Sequence, residues 1–178
     1  TTTLIYDDGT GKERYETSTE AVCWANAFRS WAAERGVQSF VNAGINGAFM
    51  VELAQNPDAW IREGADVIFV ALGTNDAGYY GPEEYREAAR TGLAAAAQKA
   101  QVVVAVSPVS DLREESMLVE PAASLGTILR EVCEEGGYLF VDASGAVTPE
   151  QFCADGLHPN SEGSLAIWAC IQSALGLV

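Results

Sequence analysis

The sequence predicts one α/β domain in three layers, a parallel sheet with helices on both faces. Two patterns carry this reading. Strand-length apolar runs alternate with helix-period segments along the whole chain, and no internal repeat, low-complexity tract or Pro/Gly/Ser linker breaks the alternation. Size agrees: 178 residues at 48% hydrophobic content suit a single domain with a substantial core.

Five short apolar runs are the expected strands: Thr3–Tyr6, Ser39–Val41, Val67–Leu72, Val102–Val106 and Tyr138–Val141. They read as buried on both sides, as strands of a parallel sheet must be. Between the first two, Trp24, Phe28, Trp31 and Ala32 recur at helical spacing, predicting a helix over Ala21–Arg35 whose aromatic face enters the core. Thr17 with Glu20 offers a capping box at its start, and Gly36 a stop at its end. Pro82 suits the first turn of a second helix over Glu83–Ala100. A third is expected over Pro121–Glu135, ending at Gly136-Gly137, and a last over Glu162–Leu175.

Charge narrows the function classes. The formal net charge is −15 and the ten Lys and Arg form no cluster, so nucleic acid and anionic membrane are expected to be repelled. No apolar run approaches the ~20 residues needed to span a bilayer. A soluble protein follows, and its compartment stays open between cytoplasm and secretion after signal removal. Cys23, Cys133, Cys153 and Cys170 lack metal-site or redox spacing and read as buried free thiols. Neither a metal nor another cofactor is expected. The acidic pairs Asp7-Asp8, Glu83-Glu84, Glu114-Glu115 and Glu134-Glu135 read as solvated charge, because adjacent residues do not share a helix face.

In such sheets ligands bind beyond the strand ends. Polar turns follow three of the expected strands: Asp7-Asp8-Gly9-Thr10, Asn42-Ala43-Gly44-Ile45-Asn46-Gly47 and Gly73-Thr74-Asn75-Asp76. The first is no phosphate loop, since that pattern needs Gly at 6 and Ser or Thr at 13, where Tyr6 and Glu13 stand. His158 is the sole histidine, so histidine acid–base chemistry must use it. Asp155, three residues earlier across a Gly-containing loop, is placed to accept the Nδ1 proton and leave Nε2 as a base. The bland alternative is a turn cap beside an incidental histidine. Asn75 and the backbone of Gly47 are candidate donors to a developing oxyanion, against the equally simple reading of both as turn residues.

Taken together and in this order, the segments resemble the SGNH or GDSL hydrolase family. Gly73-Thr74-Asn75-Asp76 is similar to its Asn block, Asn42 to Gly47 to its Gly block, and Asp155-Gly156-Leu157-His158-Pro159-Asn160 to its Asp-His block; the last match is the most specific. The resemblance implies a flavodoxin-like fold and cleavage of carboxylic esters. It also implies His158 as base, Asp155 as its orienting partner, and Gly47 and Asn75 as oxyanion donors. The expected partner is a small-molecule ester with a short acyl group such as acetyl, on a sugar or a natural product. Tyr79, Tyr80 and Met117 are candidates for lining its pocket, with packing as the alternative.

The first block departs from the pattern. Where the family carries Gly-Asp-Ser after the first strand, this chain aligns Asp7-Asp8-Gly9, so Gly9 occupies the nucleophile position and contributes only a backbone N–H to the oxyanion hole. Three explanations remain open: an introduced Ser→Gly replacement, a naturally non-catalytic ester- or carbohydrate-binding relative, or a shifted nucleophile such as Thr10 or a water activated by His158. An acyltransferase on the same scaffold is the further alternative.

Overall fold

The computed structural model describes residues 2–7, 13–17, 22–37, 39–61 and 64–177. The centre is a parallel sheet of three strands among these residues, in the order β3 (Ala65–Val70), β4 (Ala100–Val106), β5 (Leu139–Val141). Val67 lies opposite Val102, and Val106 opposite Val141. The apolar runs explain this placement, because a central strand must present a side chain to each face in turn. Along β4, Val103 and Ala105 enter one core while Val104 and Val106 enter the other.

Helices cover both faces. On the first, α2 (Met50–Gln55), α3 (Pro82–Lys99) and α4 (Ala122–Gly136) bury Met50, Leu53, Tyr85, Leu93, Leu125 and Leu129 against the sheet. On the second, α1 (Trp24–Glu34) and α5 (Ser161–Leu175) meet through aromatic rings: Phe28 lies 4.8 Å from Phe69 of β3 and 5.6 Å from Trp168, centroid to centroid. Such edge-on and tilted pairs add to plain area burial. The expected aromatic face of the first helix is therefore core, and the three-layer arrangement is as the sequence predicts.

Two of the five expected strands are not in this sheet. The run Thr3–Tyr6 lies in β1 (Thr2–Asp7), which pairs antiparallel with β2 (Glu13–Thr17) as a separate two-stranded sheet. Strand, Asp-Gly, strand is a hairpin signal, and local pairing across a short connection needs far less chain closure than a parallel crossover. Ser39–Val41 forms no strand, and Val41 is half exposed.

The helices fall close to expectation, with one correction at a start. Helix α1 begins at Trp24 with Cys23 as its cap, not at a box made by Thr17, which is a β2 residue; Glu20 lies outside the described residues. Its end is as expected: Gly36 has φ +83°, and Val37 N–H returns to Ala32 O at 3.0 Å. Pro82 opens α3, and Gly137, at φ +72°, closes α4. Of the four thiols only Cys133 is buried; Cys23 and Cys170 are partly covered and Cys153 is exposed, because Cys153 sits in the surface loop ahead of His158.

Candidate active site

The C-terminal ends of β3 and β4 carry the first half of the site. After β3 the chain turns through Gly73 at φ +135°, where a Cβ would stand 2.9 Å from Tyr85 Oη and 3.2 Å from Pro108 Cγ, so only glycine fits. Tyr85 is wholly buried and its hydroxyl donates to Leu72 O at 3.1 Å; burial, reinforced by nearby Asp76, raises its pKa above the ordinary phenol value. The turn is thus clamped before it reaches Asn75.

Asn75 and Asp76 reach back to the segment after Gly47. Asn75 Nδ2 donates to Ala48 O at 3.0 Å, and both Asp76 carboxylate oxygens accept Met50 N–H, at 3.0 and 3.1 Å. Asp76 has no exposed surface, and burial pushes its carboxyl up to about 6, against the lowering effect of the Met50 bond. Gly47 has φ +73° with open space where a Cβ would be. These bonds bring the Asn75 turn and the Gly47 segment together. An amide nitrogen has two hydrogens, and the bond to Ala48 uses one of them.

The second half is the loop before α5. Asp155 Oδ1 accepts the backbone N–H of Leu157 at 2.9 Å and of His158 at 3.0 Å, while Oδ2 meets His158 Nδ1 at 2.8 Å. Asp155 therefore caps the turn and orients the imidazole at once. The His158 backbone bond, its ring and the Leu157 N–H hold the Asp155 carboxyl down at about 2, so it is ionised and accepts only. Nδ1 is then the donor in this bond, and Nε2, across the ring, is turned away from Asp155. The two side chains are 50% and 63% exposed, so the pair is open to solvent. Phe152 bridges to Pro159, and Asn160 caps α5 by accepting from Glu162 and Gly163 N–H, both at 3.0 Å.

Gly9 and Thr10 lie outside the described residues. Around the Asn75 turn, Phe49 packs edge-on against Tyr79 and Tyr80, with centroids at 5.3 and 5.5 Å, and Tyr79 is 71% exposed, as is much of Met117. Sequence reading missed the stretch after β4, where Arg113 Nη2 donates both to the Thr74 carbonyl and to the Asp111 carboxylate. No local signal marks the two residues, since Ser107-Pro108-Val109-Ser110 stand between the end of β4 and Asp111.

A parallel sheet covered by helices on both faces defines the class, a three-layer α/β protein. Within that class, the chain belongs to the GDSL-like lipase/acylhydrolase family, which matches residues 8–166. No curated protein matches it in sequence. Among solved structures it is similar to LAE5, an alpha/beta hydrolase enzyme from the metagenome of Lake Arreo, Spain, with TM-score 0.76 and 23% identity over 96% of this chain and 88% of that one. It is also similar to Axe2, an acetylxylan esterase from Geobacillus stearothermophilus, with TM-score 0.76 and 18% identity over 97% and 90% of the two chains. At these identities the likeness establishes the shared fold. Among the described residues no helix is long and apolar enough to cross a membrane.

Proposed function

We propose that this protein is built to cleave short-chain carboxylic esters, acetyl esters foremost, on a sugar or another small alcohol, with His158 as the base. The observation that carries this is the 2.8 Å contact of His158 Nδ1 with an Asp155 carboxylate, which leaves Nε2 free to take a proton. The likeness to Axe2, an acetylxylan esterase, supports the acetyl reading. The exposed ring of Tyr79, packed on the half-buried Phe49 in the segments that the Asn75–Ala48 bond joins, offers an apolar face to the alcohol part of a substrate.

With a serine at position 9, His158 Nε2 takes the hydroxyl proton and the oxygen attacks the acyl carbon. The N–H groups of Gly47 and residue 9 and the Asn75 amide hold the oxyanion. The imidazolium then returns the proton to the leaving alcohol, and water releases the acyl-enzyme by the same steps. As written, Gly9 supplies no hydroxyl, so the chain binds esters better than it turns them over. Gly9→Ser is expected to raise hydrolysis of p-nitrophenyl acetate by about 1,000-fold or more. A folded Gly9→Ser protein with no gain over the parent overturns this assignment of the nucleophile.

The antiparallel pairing of β1 with β2 favours a second reading, in which Gly9 belongs to the connection of a hairpin and not to a nucleophile turn at the end of a parallel strand. The hydroxyl then comes from another residue, Thr10 included. Activity in the parent chain, abolished by Thr10→Val, selects Thr10; activity indifferent to both substitutions excludes residues 9 and 10 together.

A further inference from the structure

We propose that Arg113 is a positioning residue that sets the Asn75 turn and the His158 loop in register with each other; its catalytic meaning rests on the ester-hydrolase reading. The two halves of the site are each held by bonds of their own. The Asn75 turn is fixed through Asn75 to Ala48 and Asp76 to Met50, and the His158 loop through Asp155 to Leu157 and His158, with Cys153 N–H on His158 O at 2.8 Å and Gly156 N–H on Cys153 O at 3.0 Å. None of these bonds runs from one half to the other.

The segment after β4 supplies that link with two consecutive residues. Leu112 N–H donates to Gly156 O at 2.7 Å, inside the His158 loop, and Arg113 Nη2 donates to Thr74 O at 2.8 Å, inside the Asn75 turn. Thr74 O belongs to the peptide plane from which Asn75 departs, so fixing this oxygen fixes the direction in which Asn75 leaves. At the other end Gly156, at φ +67°, lies so close that a Cβ there would be 3.2 Å from Leu112 Cβ.

Arg113 is itself immobilised. Asp111 Oδ1 accepts its backbone N–H at 3.0 Å and its Nε–H at 2.9 Å, and Oδ2 accepts from Nη2 at 2.7 Å. The Asp111 side chain is 1% exposed and that of Arg113 15%. A guanidinium gripped on one edge by a carboxylate is a rigid plane, so its third bond points in a fixed direction. Lysine, a single point of charge on a flexible stem, cannot hold Asp111 in two places and reach Thr74 as well. Misplacement of a catalytic group by about 1 Å is enough to cost on the order of 100-fold in rate.

The sole histidine makes the test direct, because the imidazole gives one set of NMR signals; the Asn75 side-chain amide is assigned by comparison with Asn75→Asp. Arg113→Ala, Arg113→Lys and the control Arg86→Ala, which removes an exposed pair with Glu131, are compared with the parent, with circular dichroism to check folding. Arg113→Ala is expected to shift both the His158 ring and the Asn75 amide signals, Arg113→Lys to shift them less, and Arg86→Ala to leave them in place. In a form that cleaves p-nitrophenyl acetate, Arg113→Ala is expected to lower kcat about 100-fold with KM changed less than about 3-fold. A folded Arg113→Ala protein with both signals unmoved, or with a kcat no lower than that of the control, overturns the proposal. If Arg113→Ala does not fold, Arg113→Lys takes its place under the same criteria. Should no form cleave esters, the NMR shifts still decide the positioning role, so failure of the hydrolase reading and failure of this one are told apart.

Discussion

The two halves of the candidate site are built in opposite ways. Asp155 and His158 lie three residues apart in an exposed loop, and the bonds that pair them close within four residues. The turn from Leu72 to Asp76 is buried at Gly73 and Asp76 and held by partners 13 to 39 residues away, at Tyr85, Ala48, Met50 and Arg113. A local, solvated pair contributes chemistry and little stability, since water competes for every charge in it. A buried turn with distant partners contributes both, and a change there reaches the core.

Three substitutions sharpen that comparison, in descending order of effect. In an ester-cleaving form, His158→Ala is expected to lower kcat by about 1,000-fold, within the range for loss of a general base, while the urea midpoint stays within experimental scatter. A large loss of stability would show that the exposed loop is structural after all.

Asp76 is the counterpart in the buried turn. Its carboxyl is raised to about 6 against 3.8 for the ordinary group, so ionising it opposes folding. Its contribution to stability is fully present below 3.8 and is lost as pH rises through 6, on the order of 3 kcal/mol in all. Asp76→Asn keeps an acceptor for Met50 N–H and cannot ionise. The stability of the parent minus that of Asp76→Asn, from urea titrations at pH 4 and pH 7, is therefore expected to fall between the two pH values. An unchanged difference would mean that Asp76 titrates as a solvated carboxylate.

The smallest effect is at the end of the histidine loop. Asn160→Ala removes the acceptor for Glu162 and Gly163 N–H and is expected to cost about 1 kcal/mol by thermal or urea unfolding. A gap of several kcal/mol would place this loop with the buried turn instead. Gly163, two residues into α5, is a different matter: a Cβ there would collide with Gln151 O, so the helix can seat against that loop only with glycine.

The same contrast governs what could be read in advance. The strands β3, β4 and β5 were legible because they are apolar on both faces, and α1, α3, α4 and α5 because their apolar period and their stops are written locally. The fate of Thr3–Tyr6 was not: an apolar run specifies a strand but not its partner, and here the partner is β2. Helix α2 was missed because six residues carry too little period to recognise.

Of the site, the sequence by itself determined the Asp155–His158 pair, because three residues and a glycine suffice to bring a carboxylate onto Nδ1. It also marked Asn75 and Gly47 as candidates, but only the tertiary structure joined them, through Ala48 and Met50. Tertiary structure alone disclosed Arg113, whose bond to Thr74 spans 39 residues and leaves no trace in local pattern. Local geometry is encoded in neighbouring residues, whereas the bond that aligns two distant turns exists only once the sheet has brought their strand ends to one edge.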